Sequence, residues 1–594
     1  MLQKLGFLPG FNKQVTETGA EGQWFDGDNV RFRYGTPEKI GGWQQLGADK
    51  LTGAGRALHH WDDNAGIKYA AIGTNRILYV YSGGIFYDIH PIRTTLTGCT
   101  FTSTSSEKTV TVTSSGINGL NDGDIVKFDA VSGVTAVGST YTDASFEDTK
   151  FMVTSVPTSL TFTITMDDAE AGTPLSASGS ASVLCYYAVG PSKQLGGYGW
   201  GTGSWSGTSP GPATTTLATT LADSALATDV VLTSSAAFPT SGEIRIGTED
   251  ISYTANDTGT NTLSGGSRSV NGTTRAAHTA GVTVTNITDY VAWGEASSAD
   301  YTIDPGLWVL DNYGTKLIAL IYNGKCFEWD ATGSTSTRAT VIANAPTASR
   351  HVLVSTPDRH LVFFGTETEV GSGGTQDDMF IRWSNQEEIT GTDSYTVTAT
   401  NTAGTQRLAA GSVIMGAKRG RDAIYVWTDT SLFLMRFVGA PFTFSFEQAG
   451  TNCGLLGKNA CVEVDGTSYW MSENGFFAYD GQLKSMPCLV EDFVYDGLNS
   501  TPKDLVNCGL NNLFGEIQWF YCSTGSDVVD RVVTYSYVES KMYKRPIWTT
   551  GTLDRTAWAD SAVFDKPHAC NYDATDHASF DVTGNTDGTT IYYE

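Results

Sequence analysis

The chain has 594 residues, of which 11% are aromatic and only 17% are charged, and 66 of them are glycine. Ordinary globular proteins carry about 25% charged residues. Because aromatic, β-branched and glycine residues are typical of strands and tight turns, this composition predicts an all-β protein and argues against an all-helical or doubly wound one. At roughly 150 residues per domain, the length predicts about four domains.

The net charge restricts the partners of the chain. Lys and Arg total 37 and Asp and Glu total 63, which gives a net charge of −26. Gripping duplex DNA or an anionic membrane requires cations, so both activities are disfavoured. An acidic surface suits a soluble assembly, or a channel to which DNA must not adhere.

Targeting and redox signals are absent from the sequence. No stretch approaches about 18 uncharged apolar residues, and the first residues lack the apolar core of a signal peptide, so we expect no membrane span and no export. The nine cysteines never form a CxxC pair. This pattern predicts reduced thiols in a cytosolic folding compartment, without a disulfide scaffold or a zinc site.

Short β runs joined by tight turns recur along the chain. Their turns carry residue types that tolerate hairpin geometry, such as Gly83-Gly84, Asn323-Gly324, Pro357-Asp358 and Asn474-Gly475. Consecutive hairpins at a spacing of about 35–50 residues are typical of a β-propeller, whose blades are four-stranded sheets. We predict a propeller-like platform of six or seven degenerate blades, with hairpins at 76–89, 317–330, 352–365, 423–437, 468–481, 516–537 and 556–572.

Two segments of different texture interrupt this pattern. They are rich in Ser, Thr and Val with Gly-Asp turns, and each predicts a small inserted β-barrel or sandwich. Helix is expected only at 487–498 and after Thr501-Pro502. The predicted organisation is an N-terminal segment with the first blade at 1–95, insert 1 at 96–185, a Gly/Ser/Trp linker at 186–210, insert 2 at 211–287 and the remaining blades at 288–594.

No motif of catalysis or cofactor binding stands out. The stretch 452–459 approaches a P-loop, but Asn452 replaces the first glycine and Asn459 replaces the Ser/Thr, so we interpret it as a connection between blades. The eight histidines include no HExxH, although His59-His60 beside Trp61 could line a pocket. We therefore predict no enzyme, no catalytic residue, no cofactor and no metal.

Two groups of residues are candidates for interactions. Tyr198, Trp200 and Trp205 lie in the Gly/Ser-rich linker, where they could stack on sugars or enter a protein interface. A basic cluster stands out from the acidic background and could meet DNA phosphates or an acidic neighbour, with a solvated turn as the alternative. The cluster consists of Lys418, Arg419 and Arg421.

Several stretches resemble a known family of phage proteins. Residues 7–46, 411–448, 454–481 and 487–517 are similar to the tail nozzle or tail hub proteins of short-tailed bacteriophages, also called tail tubular or phage stabilisation proteins. The resemblance covers residues 1–95 and about 290–594. Insert 2, with Arg268, Asn271, Gly272 and His278, is similar to small β modules that recur in phage virion proteins.

The resemblance implies a homo-hexameric ring in the virion, assembled in the host cytoplasm. Such a ring lies below the portal and its adaptor ring, offers docking surfaces for tail fibres, and conducts DNA at ejection without sequence specificity. The family has no reaction residues to carry over. The strand-like end of the sequence predicts that the chain continues or that another strand completes the last blade. Two alternatives remain at this point, a glycan-binding adhesin and a hydrolase on the same propeller.

Overall fold

Seven antiparallel sheets make up most of the protein, seen here in a computed structural model that describes residues 6–46, 50–134, 138–193, 195–196, 213–223, 229–288, 302–572 and 577–584. We call these sheets blades 1 to 7 in chain order. Each of the seven predicted hairpins supplies two neighbouring strands of one blade, so the predicted all-β, propeller-like fold class is confirmed, with seven blades.

The strands of each blade are given from the innermost outward. Blade 1 is Gly55–Asp62, Lys68–Thr74, Leu78–Ser82 and Ile85–Asp88; blade 2 is Trp308–Tyr313, Lys316–Ile321, Cys326–Asp330 and Thr340–Val341; blade 3 is Ser349–Ser355, His360–Thr366, Phe380–Trp383 and Gly404–Arg407; blade 4 is Ile414–Arg419, Ile424–Thr428, Ser431–Gly439 and Thr443–Thr451. Blade 5 is Cys461–Val464, Thr467–Ser472, Gly475–Tyr479 and Leu483–Met486; blade 6 is Asn507–Asn511, Glu516–Tyr521, Arg531–Ser536 and Trp548–Gly551.

Blade 7 joins the two ends of the chain. Its strands Ala557–Ala559, His568–Tyr572 and His577–Gly584 are completed by Gly42–Gln45 from the N-terminal segment, and Leu51–Thr52 also pairs with the strand His577–Gly584. Residues 1–95 therefore supply part of the last blade as well as the first, which is one of the two alternatives that the sequence left open. The innermost strand of each blade contacts that of the next, and blade 7 contacts blade 1, so the ring is closed.

Apolar side chains fill the spaces between blades. One cluster lies between blades 1 and 2, another between blades 2 and 3, and the largest spans blades 4, 5 and 6. Buried tryptophans also form hydrogen bonds between neighbouring blades. The indole N–H of Trp308 donates to Thr74 O at 2.9 Å, and that of Trp519 donates to Ala460 O at 3.0 Å. Burial of both faces of every sheet is the main source of stability in such a ring.

The first insert is a closed barrel attached to blade 1. Its six strands are Ile92–Ser103, Thr109–Thr113, Ile125–Ser132, Lys150–Thr158, Thr161–Thr165 and Ser178–Tyr186, with helix α1 at Asp143–Phe146. It begins a few residues before the predicted boundary at 96. Buried Glu170 ties its loops together by accepting hydrogen bonds from Ser139 Oγ at 2.6 Å and Thr140 N at 2.8 Å, which hold its pKa at about 2 although burial alone would raise it.

The second insert is a separate compact unit over residues 194–303. One sheet contains Thr214–Thr216, Thr283–Asn286, Gly242–Ile246, Glu249–Tyr253 and Arg268–Val270, a second contains Val230–Val231, Thr262–Ser264 and Ala255–Asp257, and Leu195–Gly196 pairs with Thr302–Ile303. Buried Glu249 accepts from both Arg268, at 2.6 and 2.7 Å, and His278, at 2.8 Å. These contacts explain why residues 268 and 278 accompany the strand 249–253 in this module.

Helices and N-terminal strands lie outside the blades. Helix α2 spans Glu491–Asp496 and a 3-10 turn spans Lys503–Leu505, within or next to the segments where helix is predicted. Helix α3, at Tyr537–Tyr543, was not predicted, and a further 3-10 turn spans Gly373–Thr375. The N-terminal segment contains the parallel pair Leu8–Phe11 and Gln23–Trp24 and the hairpin Val30–Arg33 with Thr36–Lys39. No helix in the described part of the chain is long and apolar enough to cross a lipid bilayer.

A histidine pair lies where blades 1 and 7 meet. His60 Nε2 is 3.1 Å from His568 Nδ1, and the ring of Phe564 packs on both imidazoles. Burial lowers the pKa of His60 to about 3 and that of His568 to about 4. Both rings are therefore neutral at neutral pH, and protonating them requires a charge in an apolar junction.

We expect this junction to make the ring acid-sensitive. A histidine with an ordinary pKa of 6.5 when unfolded and about 4 when folded contributes stability above pH 6.5 that is lost as the pH falls towards 4, about 3 kcal/mol in all. The double variant His60→Gln, His568→Asn places a hydrogen-bonding side-chain amide at each site instead of an imidazole. Its unfolding temperature should fall less steeply than that of wild type between pH 6.5 and 4, and parallel curves would contradict this account.

Candidate functional site

The innermost strands of all seven blades surround a central channel. The channel encloses a cavity of about 180 Å³ whose lining includes residues of every blade. This is room for several water molecules or one small ligand. Its charged and imidazole side chains are Arg56, His59, Asp311, His351, Lys418 and Arg419.

An ion pair crosses three blades at the channel wall. The guanidinium of Arg419 on blade 4 donates to Asp311 Oδ1 on blade 2 at 2.6 Å and to Val354 O on blade 3 at 2.9 Å. The other oxygen of Asp311 accepts from Val354 N at 2.8 Å. Asp311 is 4% exposed, so its charge depends on these donors. Among the channel-lining residues that the structure describes, Asp311 is the only carboxylate.

Lys418 differs from its neighbour Arg419. It is exposed to the channel and forms no ion pair with any described residue. Its positive charge acts on histidines of two other blades. Burial and, after it, the charge of Lys418 lower the pKa of His351 to about 4. Burial likewise lowers the pKa of His59, with Lys418 and Arg419 acting in the same direction against Asp311. Both imidazoles are thus neutral, and Lys418 stands as an uncompensated cation among them.

A buried polar cluster lies where the loop from blade 4 enters blade 5. The Lys458 ammonium lies 3.1 Å from Asp504 Oδ2 and 3.6 Å from the centroid of the Tyr322 ring. The lysine of the P-loop-like stretch is therefore bound inside the protein, and its loop connects blades 4 and 5, as interpreted from the sequence. Asn507, 5% exposed, lines the channel, and its Oδ1 accepts no hydrogen bond from a described residue.

The candidate interaction residues from the sequence lie in different parts of the protein. Tyr198, Trp200 and Trp205 lie outside the described residues. Arg421 is exposed in the turn after the first strand of blade 4 and does not line the channel, whereas Lys418 and Arg419 do. The predicted cluster is therefore divided into an internal ion pair, a channel cation and a solvated turn residue.

The described residues also show how possible metal ligands and thiols are arranged. Among them, no group of three or more His, Cys, Asp or Glu side chains is arranged to hold a metal ion. All nine cysteines are described, and no disulfide joins any of them. Burial raises the pKa of eight of the nine thiols, that of Cys461 to about 11, so these eight thiols are protonated at neutral pH.

A second candidate surface lies at the end of blade 6, beside the turn that joins its two innermost strands. We call it the blade 6 patch, and its residues are each between 39% and 69% exposed. The backbone amides of Tyr34 and Gly35 donate to the carboxylate of Glu539 in α3 at 3.0 and 3.2 Å, and the α3 amides of Tyr537 and Val538 face Gly515 O. The patch consists of Tyr34, Leu513, Val538, Met542 and Tyr543.

Three exposed cations are close in sequence to residues of this apolar patch. Arg33, Lys541 and Lys544 are exposed beside it on the same hairpin and helix. The hairpin is fixed by buried Arg31, which donates twice to Glu516 of blade 6 at 2.9 Å. Contiguous exposed apolar patches are uncommon on monomers and mark interaction sites. The blade 6 patch is therefore an apolar surface with a positive rim on a protein whose net charge is −26.

The similarities found among known proteins are to solved structures. No family model matches this chain, and no curated protein matches it. Among solved structures, it is similar to an ancestral GH74 enzyme, with 12% identity, a TM-score of 0.32 and coverage of 96% of this chain and 77% of that one. It is also similar to the phage phi92 endosialidase, with 10% identity, a TM-score of 0.20 and coverage of 94% of this chain.

The match spans 62% of the endosialidase, less than two thirds of its length. The WD40 repeats of RRP9 match at 9% identity and a TM-score of 0.26, over 46% of this chain and 94% of that one. Two of these neighbours carry the names of enzymes. At TM-scores this low, the likenesses establish no activity for this chain.

Substitution of Arg419 should lower the free energy of unfolding much more than substitution of its neighbour Lys418. Arg419→Met leaves Asp311 without its cation, and because about a third of the Arg419 side chain is exposed, we expect a loss of about 1–3 kcal/mol. Lys418→Met removes no ion pair with a described residue and should change stability by less than about 0.5 kcal/mol. Denaturant unfolding of both variants measures the difference, and equal losses would show that the pair does not stabilise the ring.

Proposed function

We propose that this chain is the structural subunit of the tail nozzle ring of a short-tailed bacteriophage. In this role, six copies form a ring below the portal and adaptor, carry tail fibres, and conduct the genome outward at ejection. The proposal places the protein in the virion after assembly in the host cytoplasm. It is supported by the sequence resemblance of residues 1–95 and about 290–594 and by a closed ring of blades suited to a rigid platform.

The observation that carries the proposal is the blade 6 patch. Interfaces between subunits combine an apolar core with a polar rim, and aromatic, Met and Arg residues are enriched in them. Tyr34, Met542 and Tyr543 supply such a core, and Arg33 and Lys541 supply the rim. Because a copy of the same chain is strongly acidic, it offers negative surfaces to this rim. A patch that meets a different surface of the next copy generates a ring when the rotation closes.

The size of the channel determines where DNA could pass. Duplex DNA has a major groove that is itself about 12 Å wide. A cavity of about 180 Å³ inside one chain cannot admit it. In a nozzle, the conduit would therefore lie between copies, bordered by surfaces of an acidic protein, and repulsion of phosphates near such walls would keep DNA from adhering.

The channel chemistry also favours a structural role over a hydrolase. Glycosidases generally use two carboxylates about 5–9 Å apart. Among the described residues that line the channel, Asp311 is the only carboxylate, and its oxygens are engaged by Arg419 and Val354 N. A pair of free carboxylates is therefore not available in this part of the site.

The ring and the patch can be tested together. We expect wild-type protein to form oligomers and Met542→Glu to dissociate them, because a carboxylate in the apolar centre of the interface is desolvated and faces the acidic surface of the next copy. Ile67→Glu is the matched control, since Ile67 is 48% exposed outside the patch. Mass photometry of the three proteins measures their oligomeric state.

The two failures are distinguishable. A wild-type protein that remains a single chain, alone and when mixed with portal and adaptor rings, would overturn the nozzle proposal. A wild-type ring that Met542→Glu leaves intact would overturn only the assignment of the interface to the blade 6 patch.

A further inference from the structure

We propose that the central channel is a binding site for a small oxyanion, a phosphate or a carboxylate, held at Lys418. The inference concerns the channel of a single chain and does not depend on the nozzle proposal. Nothing in a purely structural role requires a cation at this position.

The charge balance of the channel points to an anion. In its described lining, the cation Lys418 lies beside the Arg419–Asp311 pair, and Asp311 is the single carboxylate. Asp311 is already bound by Arg419, so the charge of Lys418 is uncompensated. This excess of positive charge occurs inside a protein with a net charge of −26. The same excess disfavours a metal cation as the occupant.

The position of Lys418 makes its charge effective. Lys418 lines a cavity that is bounded by residues of all seven blades, among them His59 of blade 1, His351 of blade 3 and Cys508 of blade 6, so it faces several walls at once. Between the walls of a narrow channel, a charge is screened less than on the outer surface. An oxyanion there would accept charge-assisted hydrogen bonds from the three N–H groups of the ammonium.

The size and lining of the cavity define the class of ligand. A volume of about 180 Å³ accommodates a phosphate or a short carboxylic acid, and it excludes nucleic acid and folded protein. The exposed amide of Asn459 lines the same cavity and is a further donor for an oxygen ligand. The His351 and His59 rings are neutral, so Lys418 is the main electrostatic determinant.

Binding can be measured through stability and heat. Inorganic phosphate, sulfate and malonate, each titrated at constant ionic strength, should raise the unfolding temperature of wild type in a saturable way, because a ligand of the folded state stabilises it by mass action. Calorimetric titration with the most effective of the three should give one site per chain. Comparison of the affinities for phosphate and malonate shows whether the site prefers phosphate or carboxylate oxygens.

Three variants make the test specific. Lys418→Met should weaken the affinity about tenfold or more, since it removes a charged hydrogen-bond donor. Lys418→Arg keeps the charge and should retain binding. Lys566→Met removes an exposed lysine of blade 7 that does not line the channel, and it should bind as wild type does.

Two results would overturn the proposal. Equal shifts of the unfolding temperature in wild type, Lys418→Met and Lys566→Met would mean that the anions act on the whole protein as excluded solutes. Calorimetry without saturable heat for any of the three anions would mean that the channel holds only water.

Discussion

Closure of the ring is the constraint on which the rest of this structure depends. Gly42–Gln45 pairs with His577–Gly584, so the last blade is completed by the start of the chain and meets blade 1. An unfinished sheet would expose unpaired backbone groups at its edge, which invites strand pairing with other molecules. Closure also brings the seven innermost strands around one axis, and without it neither the channel nor the Asp311–Arg419 pair would exist.

Charges are distributed unequally in this closed ring. The chain as a whole is strongly acidic, yet cations collect in two places, the central channel and the rim of the blade 6 patch. In the channel, Arg419 stabilises the ring by joining three blades, whereas Lys418 remains uncompensated. At the patch, Arg33 and Lys541 border apolar side chains. The first arrangement suits a small anion inside one chain, and the second suits the acidic surface of another copy.

Local patterns in the sequence predict the blades but not their contacts. Turns such as Gly83-Gly84, where both residues have positive φ, are specified by adjacent residues and therefore mark hairpins. The completing strand Gly42–Gln45 is defined by a partner more than 500 residues away, and no local pattern assigns it to the last blade. The helix α3 was missed because its seven residues, Tyr537–Tyr543, continue an aromatic β run and carry little helical periodicity.

The candidate site shows the same division. The cluster of Lys418, Arg419 and Arg421 is visible in the sequence as a charge anomaly. In the structure, Arg419 forms an ion pair at the channel wall, Lys418 is a channel cation and Arg421 lies in a turn. This separation depends on strand alternation and on Asp311, about 100 residues earlier in the chain. The sequence indicates His59 as a candidate pocket residue but not His351. No local pattern marks His351, because only closure of the ring brings its strand to the channel.

If the chain forms a nozzle ring, the passage for DNA should lie between the subunits of the ring and not within one propeller. Electron cryomicroscopy of the purified full-length protein, alone and mixed with portal and adaptor rings, tests this most directly. We expect closed rings of copies, with the blade 6 patch at the contact between neighbours and an opening between subunits wide enough for duplex DNA. Single chains that never associate, or neighbours that leave the blade 6 patch in solvent, would contradict it.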